Sequence, residues 1–274
     1  MEIKFNNLTY FRNLDTKWES PVLSKISFSF EEGKISGLVS TEGATIGELI
    51  TLIIKPSLGE IQYDNMRVSK KSYVKNIGEL RKKIAYLPRS IIVFEETTVY
   101  DEFAKLLSTI KNVDDYNKKI KGIMKLVNLP EEMINDNPND LSYSNKKRLQ
   151  LALAFCRNPQ VIIFDNYDKG FNFRDQELLK KILQKLKNKY HKTIIYITNE
   201  LASLINLADN LIIINKKGSL VYQGKADFFD QDIYLSQQMP PIIDFIFTCR
   251  KNGHEINNYL DVKEIIKAVY RDVK

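Results

Sequence analysis

The sequence has 274 residues, 43% of them apolar and 27% charged, which is enough for one large domain or a domain with an appendage and excludes a disordered chain. Its longest apolar runs, such as "LITLII" and "LIII", fall far short of the ~18 residues a membrane-spanning helix needs, and "MEIKFNNL" lacks a signal peptide's apolar region, so a soluble or peripheral cytoplasmic protein is expected. Two cysteines, Cys156 and Cys249, exclude a disulfide framework, and the net charge of +7 is spread over lysines interleaved with acids, which predicts a solvated surface and no nucleic-acid partner.

Alternating apolar residues in "IKFNNLTY" and "SKISFSF" predict half-buried β-strands, and the apolar "ISGLV" predicts a buried one. It opens the stretch from Gly37 to Ile53, "GLVSTEGATIGELITLI": an apolar strand, a loop of small residues, then an amphipathic helix. That order is the grammar of a phosphate-binding loop, G-x-x-x-x-G-K-[ST], in which backbone amides cradle phosphate, the lysine reaches its oxygens and the hydroxyl holds Mg²⁺. In the register starting at Ser40, Gly43 is retained, Thr45 takes the second glycine, Ile46 the lysine, Gly47 the metal-binding hydroxyl and Glu48 the next position. Ile46 also fits a core stripe with Leu49, Ile50 and Ile53. Glu42 in the loop and Glu48, expected in the first helical turn, would repel phosphate and could satisfy the helix amides themselves.

"GEIQYDN" reads as a further strand, and the polar middle from about Asp101 to Asp140 as an inserted helical lobe, with Ile120, Ile123, Met124 and Leu126 near one face. Ser142 is placed to cap the helix "NKKRLQLALAF". The "VIIF" and "TIIYI" strands flank "QELLKKILQKL", whose Leu178, Leu179, Ile182, Leu183 and Leu186 form one stripe, so these segments predict a strand–helix–strand crossover. "LIIINKKGSLVYQG" reads as a hairpin, "MPP" breaks the chain, and Asp261 three residues before Glu264 has the pattern of a capping box.

These segments resemble, in order, the ATP-binding-cassette ATPases, and most closely the ATPase subunits of energy-coupling-factor transporters. "LRKKIAYLPRSIIVFEETTVYDEF" is similar to the family's glutamine-loop segment, "LSYSNKKRLQLALAFCRNPQVIIFDN" to its signature and Walker B, and "TIIYITNELASLINLADNLIIINKKGSLVYQG" to its switch region. The C-terminal "PPIIDFIFTCRKNGHEINNYLDVKEIIKAV" resembles the family's tail. The resemblance implies an α/β fold, an ABC-type nucleotide-binding domain with an antiparallel β subdomain and helical lobe, plus a small α-rich C-terminal domain. On this reading the cassette spans 1–229, with its lobe at about 101–157, and the appendage 230–274.

The chemistry departs from the family. Arg89 stands at the glutamine position before a loop shorter than usual, and the signature keeps Leu141 and Ser142 but has Tyr143 and Ser144 where two glycines admit a γ-phosphate. Asp165 is retained at Walker B, where it is either a metal ligand or a satisfied buried carboxylate, whereas Asn166 replaces the catalytic glutamate, Asn172 the D-loop aspartate and Asn199 the switch histidine. Arg12 falls nearest the adenine-stacking position, with Tyr10 or Phe11 as alternatives. The resemblance therefore implies a degenerate subunit, a pseudo-ATPase with no catalytic residues or cofactor of its own, holding ATP and Mg²⁺ weakly or at a site shared with a partner.

It also implies a head-to-tail dimer with a second cassette ATPase, in which Ser142 faces the partner's nucleotide. The pair would sit on a membrane T-component and serve a substrate-binding S-component in vitamin or metal-ion uptake, peripheral at the inner face of the membrane. "FEETTVYDEF" is expected to border the docking groove, with Phe94 and Tyr100 either anchoring the membrane component or packing on the lobe's own core. Two further readings stay open: a weak ATPase with Arg89 or Lys82 as phosphate ligand, and a regulatory or structural protein outside transport.

Overall fold

The computed structural model describes residues 1–13, 20–72, 77–110, 115–204, 206–226, 241–254 and 262–272. Two sheets organise them. The first is antiparallel and joins β1 (Ile3–Arg12), β2 (Ser20–Phe30), β4 (Leu58–Tyr63) and β5 (Met66–Ser69) in the order β2-β1-β4-β5. Its alternation places Phe5 opposite Phe28, and their rings stack with centroids 4.6 Å apart.

The second sheet has the order β10-β9-β3-β8-β7-β6. Its strands are β3 (Ile35–Val39), β6 (Ile84–Leu87), β7 (Val161–Asp165), β8 (Thr193–Thr198), β9 (Asn210–Ile214) and β10 (Leu220–Lys225). All neighbouring pairs are parallel except the β9–β10 hairpin. Because successive side chains point to opposite faces, the apolar runs of β7 and β8 feed two cores at once. Ile163, Ile195 and Ile197 pack with the antiparallel sheet and α1 (Gly43–Ile50), whereas Ile162, Phe164, Ile194 and Tyr196 pack with the helical lobe and α6 (Phe173–Tyr190). The predicted crossover is therefore β7–α6–β8, with Leu179, Ile182, Leu183 and Leu186 buried and Leu178 packed beside them.

The lobe comprises α3 (Val99–Ser108), α4 (Tyr116–Val127), a 3₁₀ turn at Glu131–Asn135 and α5 (Tyr143–Phe155). Caps from Thr98, Asp115 and Ser142 start its three helices, each side chain accepting from a backbone amide three residues on. Strands β5 and β6 and helix α2 (Ile77–Lys83) were not separable in the sequence, since a four-residue strand leaves almost no periodicity to read.

At the C-terminus stand α7 (Pro241–Lys251) and α8 (Val262–Asp272). Ile246 is buried and Phe247 packs on the core shared by the sheet and the lobe, so α7 is anchored to the cassette. The expected boundary at 229–230, the residues Met239 and Pro240 of the chain break, and Asp261 of the capping box lie outside the described residues. Among the described residues no helix is long and apolar enough to cross a membrane.

Candidate functional site

The carboxyl ends of the parallel strands form the edge at which open α/β sheets hold ligands. Here that edge brings together the turn after β3, the N-terminus of α1, and the ends of β6, β7 and β8. The turn is internally bonded: Ser40 Oγ accepts from the Glu42 amide at 3.0 Å, and Ser40 N donates to the Thr198 carbonyl at 3.2 Å. Gly43 is held by packing, since a Cβ there would lie 2.2 Å from Ile197 Cγ2. Thr45 Oγ1 donates to Glu42 Oε2 at 3.3 Å, and the same oxygen accepts from Arg12 Nη2 at 3.2 Å. Arg12, read as the adenine-side residue, thus forms an ion pair with the loop itself.

Ile46 has no exposed surface and lies in the apolar core with Leu49 and Ile50, as the core-stripe reading expected. Two details of that expectation are corrected. Ile53 is 56% exposed, because α1 ends at Ile50 and Leu52, at φ +58°, turns the chain so that Leu52 is buried in its place. Glu48 lies in the second turn of α1, which begins at Gly43, and no side chain caps the helix amides.

Asp165, at the end of β7, is buried with both oxygens engaged. Tyr86 of β6 donates its hydroxyl to Oδ2 at 2.7 Å, and Asn166 Nδ2 donates to Oδ1 at 2.9 Å. Burial, then the bond to Asp165, then the Asp165 and Glu48 charges, raise the Tyr86 phenol far above its ordinary range, so it remains a donor. The Tyr86 ring also fills the space beside Gly47, where a Cβ would come within 2.6 Å of Tyr86 Cε2. Mg²⁺ is held by one or two carboxylates together with a hydroxyl and phosphate oxygens. Here the carboxylate already accepts two bonds, position 47 has no hydroxyl and position 46 has no cation. These residues do not fit a magnesium–nucleotide complex, and among the described residues no group of three or more His, Cys, Asp or Glu is placed to hold a metal.

Of the other positions read against the family pattern, Asn166, Asn172, Ser142 and Tyr143 take structural roles. Asn166 has φ +46° and donates its backbone amide to the Ile197 carbonyl at 2.8 Å. Asn172 caps α6 through the Asp175 amide at 2.9 Å. Ser142 Oγ accepts from Asn145 N at 3.3 Å, and Tyr143 donates to the Lys169 carbonyl at 2.8 Å, tying the head of α5 to the turn that follows β7. Asn199 is exposed. Arg89 is exposed and makes no ion pair among the described residues, and Lys82 pairs with Glu79 at 2.8 Å.

Lys147 is not legible in the sequence, because it sits in a basic run that reads as a solvated face. It is fully buried, with Nζ donating to the Pro88 carbonyl at 3.1 Å and to that of Arg89, and it lies 4.2 Å from the Tyr167 ring centre. This clamp joins the end of β6 to α5. Burial lowers the Lys147 ammonium to about 8, helped by Arg89 and opposed by Asp168 and Asp165. The unfolded chain therefore holds one more proton than the folded one between about pH 8 and the ordinary lysine value of ~10.4, so stability rises with pH across that window. Urea titrations at about pH 7.5 and about pH 9.5 are expected to show wild type gaining on Lys147→Met as pH rises. Lys192, also lowered by burial, cancels in this comparison because both proteins carry it.

Phe94 is 3% exposed and belongs to the lobe's core, and its carbonyl accepts from Asn139 Nδ2 at 3.0 Å. Tyr100 is half-buried on the same core. The packing alternative therefore describes Phe94, and this buried ring is corrected as a surface anchor. Beneath the FEET turn, Glu102 accepts from the Glu95 and Glu96 amides at 2.6 and 2.9 Å. Beside it opens a groove of about 470 Å³ between β6, α3 and α5, lined among others by Ile92, Val93, Leu106, Gln150 and Arg157. Val93 is 84% exposed, and Gln150 is buried with no partner for Oε1 among the described residues.

The family described as ABC transporter matches residues 23–168. An energy-coupling factor transporter ATP-binding protein, EcfA3 of Oenococcus oeni, is 26% identical over 282 residues, covering 98% of this chain and 96% of its own length. The EcfA2 protein of Clostridium perfringens is 25% identical, covering 99% of both chains. In fold, the chain resembles cbiO1 from Clostridium perfringens, described as part of the ABC transporter complex cbiONQ, with a TM-score of 0.73 and 22% identity over 92% of this chain and 97% of that one.

Proposed function

Because this chain belongs to the ABC transporter family, we propose that it is the non-hydrolysing cassette subunit of an energy-coupling-factor type transporter. It pairs with a competent cassette ATPase, docks with it on a membrane T-component at the inner face of the membrane, and serves uptake of a small molecule, a vitamin or a metal ion, through an S-component. The observation that carries this reading is a contrast within one molecule. The phosphate-loop region is filled by its own side chains, Tyr86 on Asp165 and Ile46 in the core, while the groove beside the FEET turn stays open with apolar residues at its rim. End-to-end similarity to energy-coupling-factor ATP-binding proteins supports the transporter type in this reading.

Nothing in the docking role needs a reactive group. It needs shape, apolar anchors and complementary charge, which survive when a nucleotide site is lost. In the pair, Ser142 and the N-terminus of α5 would face the nucleotide held by the partner. Co-expression with an intact cassette ATPase and a membrane component tests the reading. The purified complex is expected to trap one nucleotide per cassette pair; two trapped nucleotides, or a chain that never co-purifies with the membrane component, would overturn it.

A further inference from the structure

The strip of chain from Pro88 to Phe94 runs from the end of β6 to the FEET turn and carries the groove's apolar rim, Ile92 and Val93. Pro88 has no amide hydrogen, so pairing with β7 ends at Leu87, and among the described residues the strip makes no hydrogen bond between backbone groups. Side chains hold its carbonyls instead. Lys147 donates to that of Pro88 at 3.1 Å and to that of Arg89, Gln150 to that of Ser90 at 3.5 Å, and Asn139 to that of Phe94 at 3.0 Å. We propose that Lys147 is a positioning residue for docking, which sets the rim of the groove by holding this strip from inside the protein. This deepens the docking reading above and rests on it for what the groove receives.

Lys147 and Gln150 lie three residues apart, hence on one face of α5, and meet successive carbonyls of the strip. The lysine's own place is fixed from the other side. The Tyr167 ring centre lies 4.2 Å from its Nζ, the Tyr167 hydroxyl donates to its carbonyl, and the adjacent Arg148 pairs with Asp175 at 2.7 Å. Helix α5 is thus braced against the segment that follows β7 and carries the strip on its opposite flank. Burying the lysine has a cost, because desolvating an ammonium opposes folding, and its bonded partners among the described residues are carbonyls with no carboxylate. An apolar side chain of similar length would fill the space without that cost. What the lysine supplies is a pair of donors at one point, meeting two carbonyls in a row. The rim needs such placement, since Ile92 and Val93 are exposed and belong to neither core.

Trypsin tests the strip in the full chain, because Arg89 is exposed and the carbonyl of its bond to Ser90 is one that Lys147 holds. Digestion under native conditions, with mass spectrometry of the 1–89 and 90–274 fragments, is expected to cut there about tenfold faster in Lys147→Met than in wild type. Cleavage after the exposed Arg67 of the antiparallel sheet should be unchanged, and Lys146→Met, the same charge change one residue away, should cut at the wild-type rate at both sites. Equal rates at Arg89 in Lys147→Met and wild type would overturn the proposal. Where Lys147→Met does not fold, Gln150→Leu, which removes the Ser90 bond, is expected to cut about threefold faster, and an unchanged rate there would overturn it. Assembly with the membrane component is expected to weaken about tenfold in Lys147→Met, yet by less than about threefold when the same change is made on Val93→Asp, because a rim that no longer binds leaves the lysine nothing to place. Equal losses in the two backgrounds would overturn the proposal. A wild-type chain that never assembles with a membrane component would overturn the transport reading and would leave the cleavage rates as they are.

Discussion

Phosphate release from Mg-ATP by the purified chain is expected to stay at the level of buffer, and Ile46→Lys with Gly47→Ser is expected to leave it there. The first expectation follows from binding. A lysine at position 46 would make charge-assisted hydrogen bonds that isoleucine, fully buried in the core, does not make. A dissociation constant no tighter than roughly 0.1 mM is expected in calorimetry. The second follows from chemistry. The amide of Asn166 cannot take a proton from water, and it already donates to Asp165 at 2.9 Å; a positioned general base typically contributes roughly 10²–10⁴-fold. Asn199, which the resemblance sets at the switch position, is exposed and has no imidazole. Groups that act as a unit are not restored one at a time. Micromolar affinity in wild type, or robust phosphate release from the double variant, would show that the chemistry has been misplaced.

The sequence carried the frame of the molecule further than its centre. Strands β3, β7 and β8 are legible because a strand buried on both faces must be apolar throughout, and the β7–α6–β8 crossover because its helix shows one clean stripe. The motif register likewise picks out the positions on which the non-hydrolysing proposal rests, Ile46, Gly47, Asn166 and Asn199. It does not identify what packs beside them. Gly47 and Tyr86 are far apart in sequence and meet because the sheet order sets β6 beside β7 and α1 over β7 and β8. A large ring opposite a missing side chain is a pairwise signal, and one sequence shows only single positions. Lys147 is hidden for a related reason: a lysine in a basic run looks solvated until the fold places carbonyls of Pro88 and Arg89 over it. Phe94 shows the converse. Its segment reads as a docking edge, and the aromatic residue in it faces inward because the lobe needs it.

Phe94 and Val93 are neighbours with opposite expected phenotypes, and substituting each separates folding from docking. Phe94→Ala removes a buried ring from the core shared by α3, α4 and α5, and should cost about 3–5 kcal/mol of stability, the usual range for such truncations. Its Asn139–carbonyl bond involves backbone and survives, so the loss is one of packing. Val93 is 84% exposed at the rim of the groove, and Val93→Asp should change stability by no more than about 0.5 kcal/mol. At an interface the same change places a carboxylate among apolar contacts beside Ile92 and near Glu95, where desolvation and like charge both oppose binding. A weakening of about 30-fold or more in assembly with the membrane component is expected, the scale of losing a central anchor. Tyr100→Ala, half-buried on the lobe's core, should fall between the two in stability and leave the groove rim intact. Urea denaturation and pull-down of the membrane component on the three variants give the comparison. If Val93→Asp assembles as well as wild type while remaining fully folded, the groove beside the FEET turn is not where this cassette meets the membrane component, and a regulatory or structural role outside transport becomes the better account of the chain.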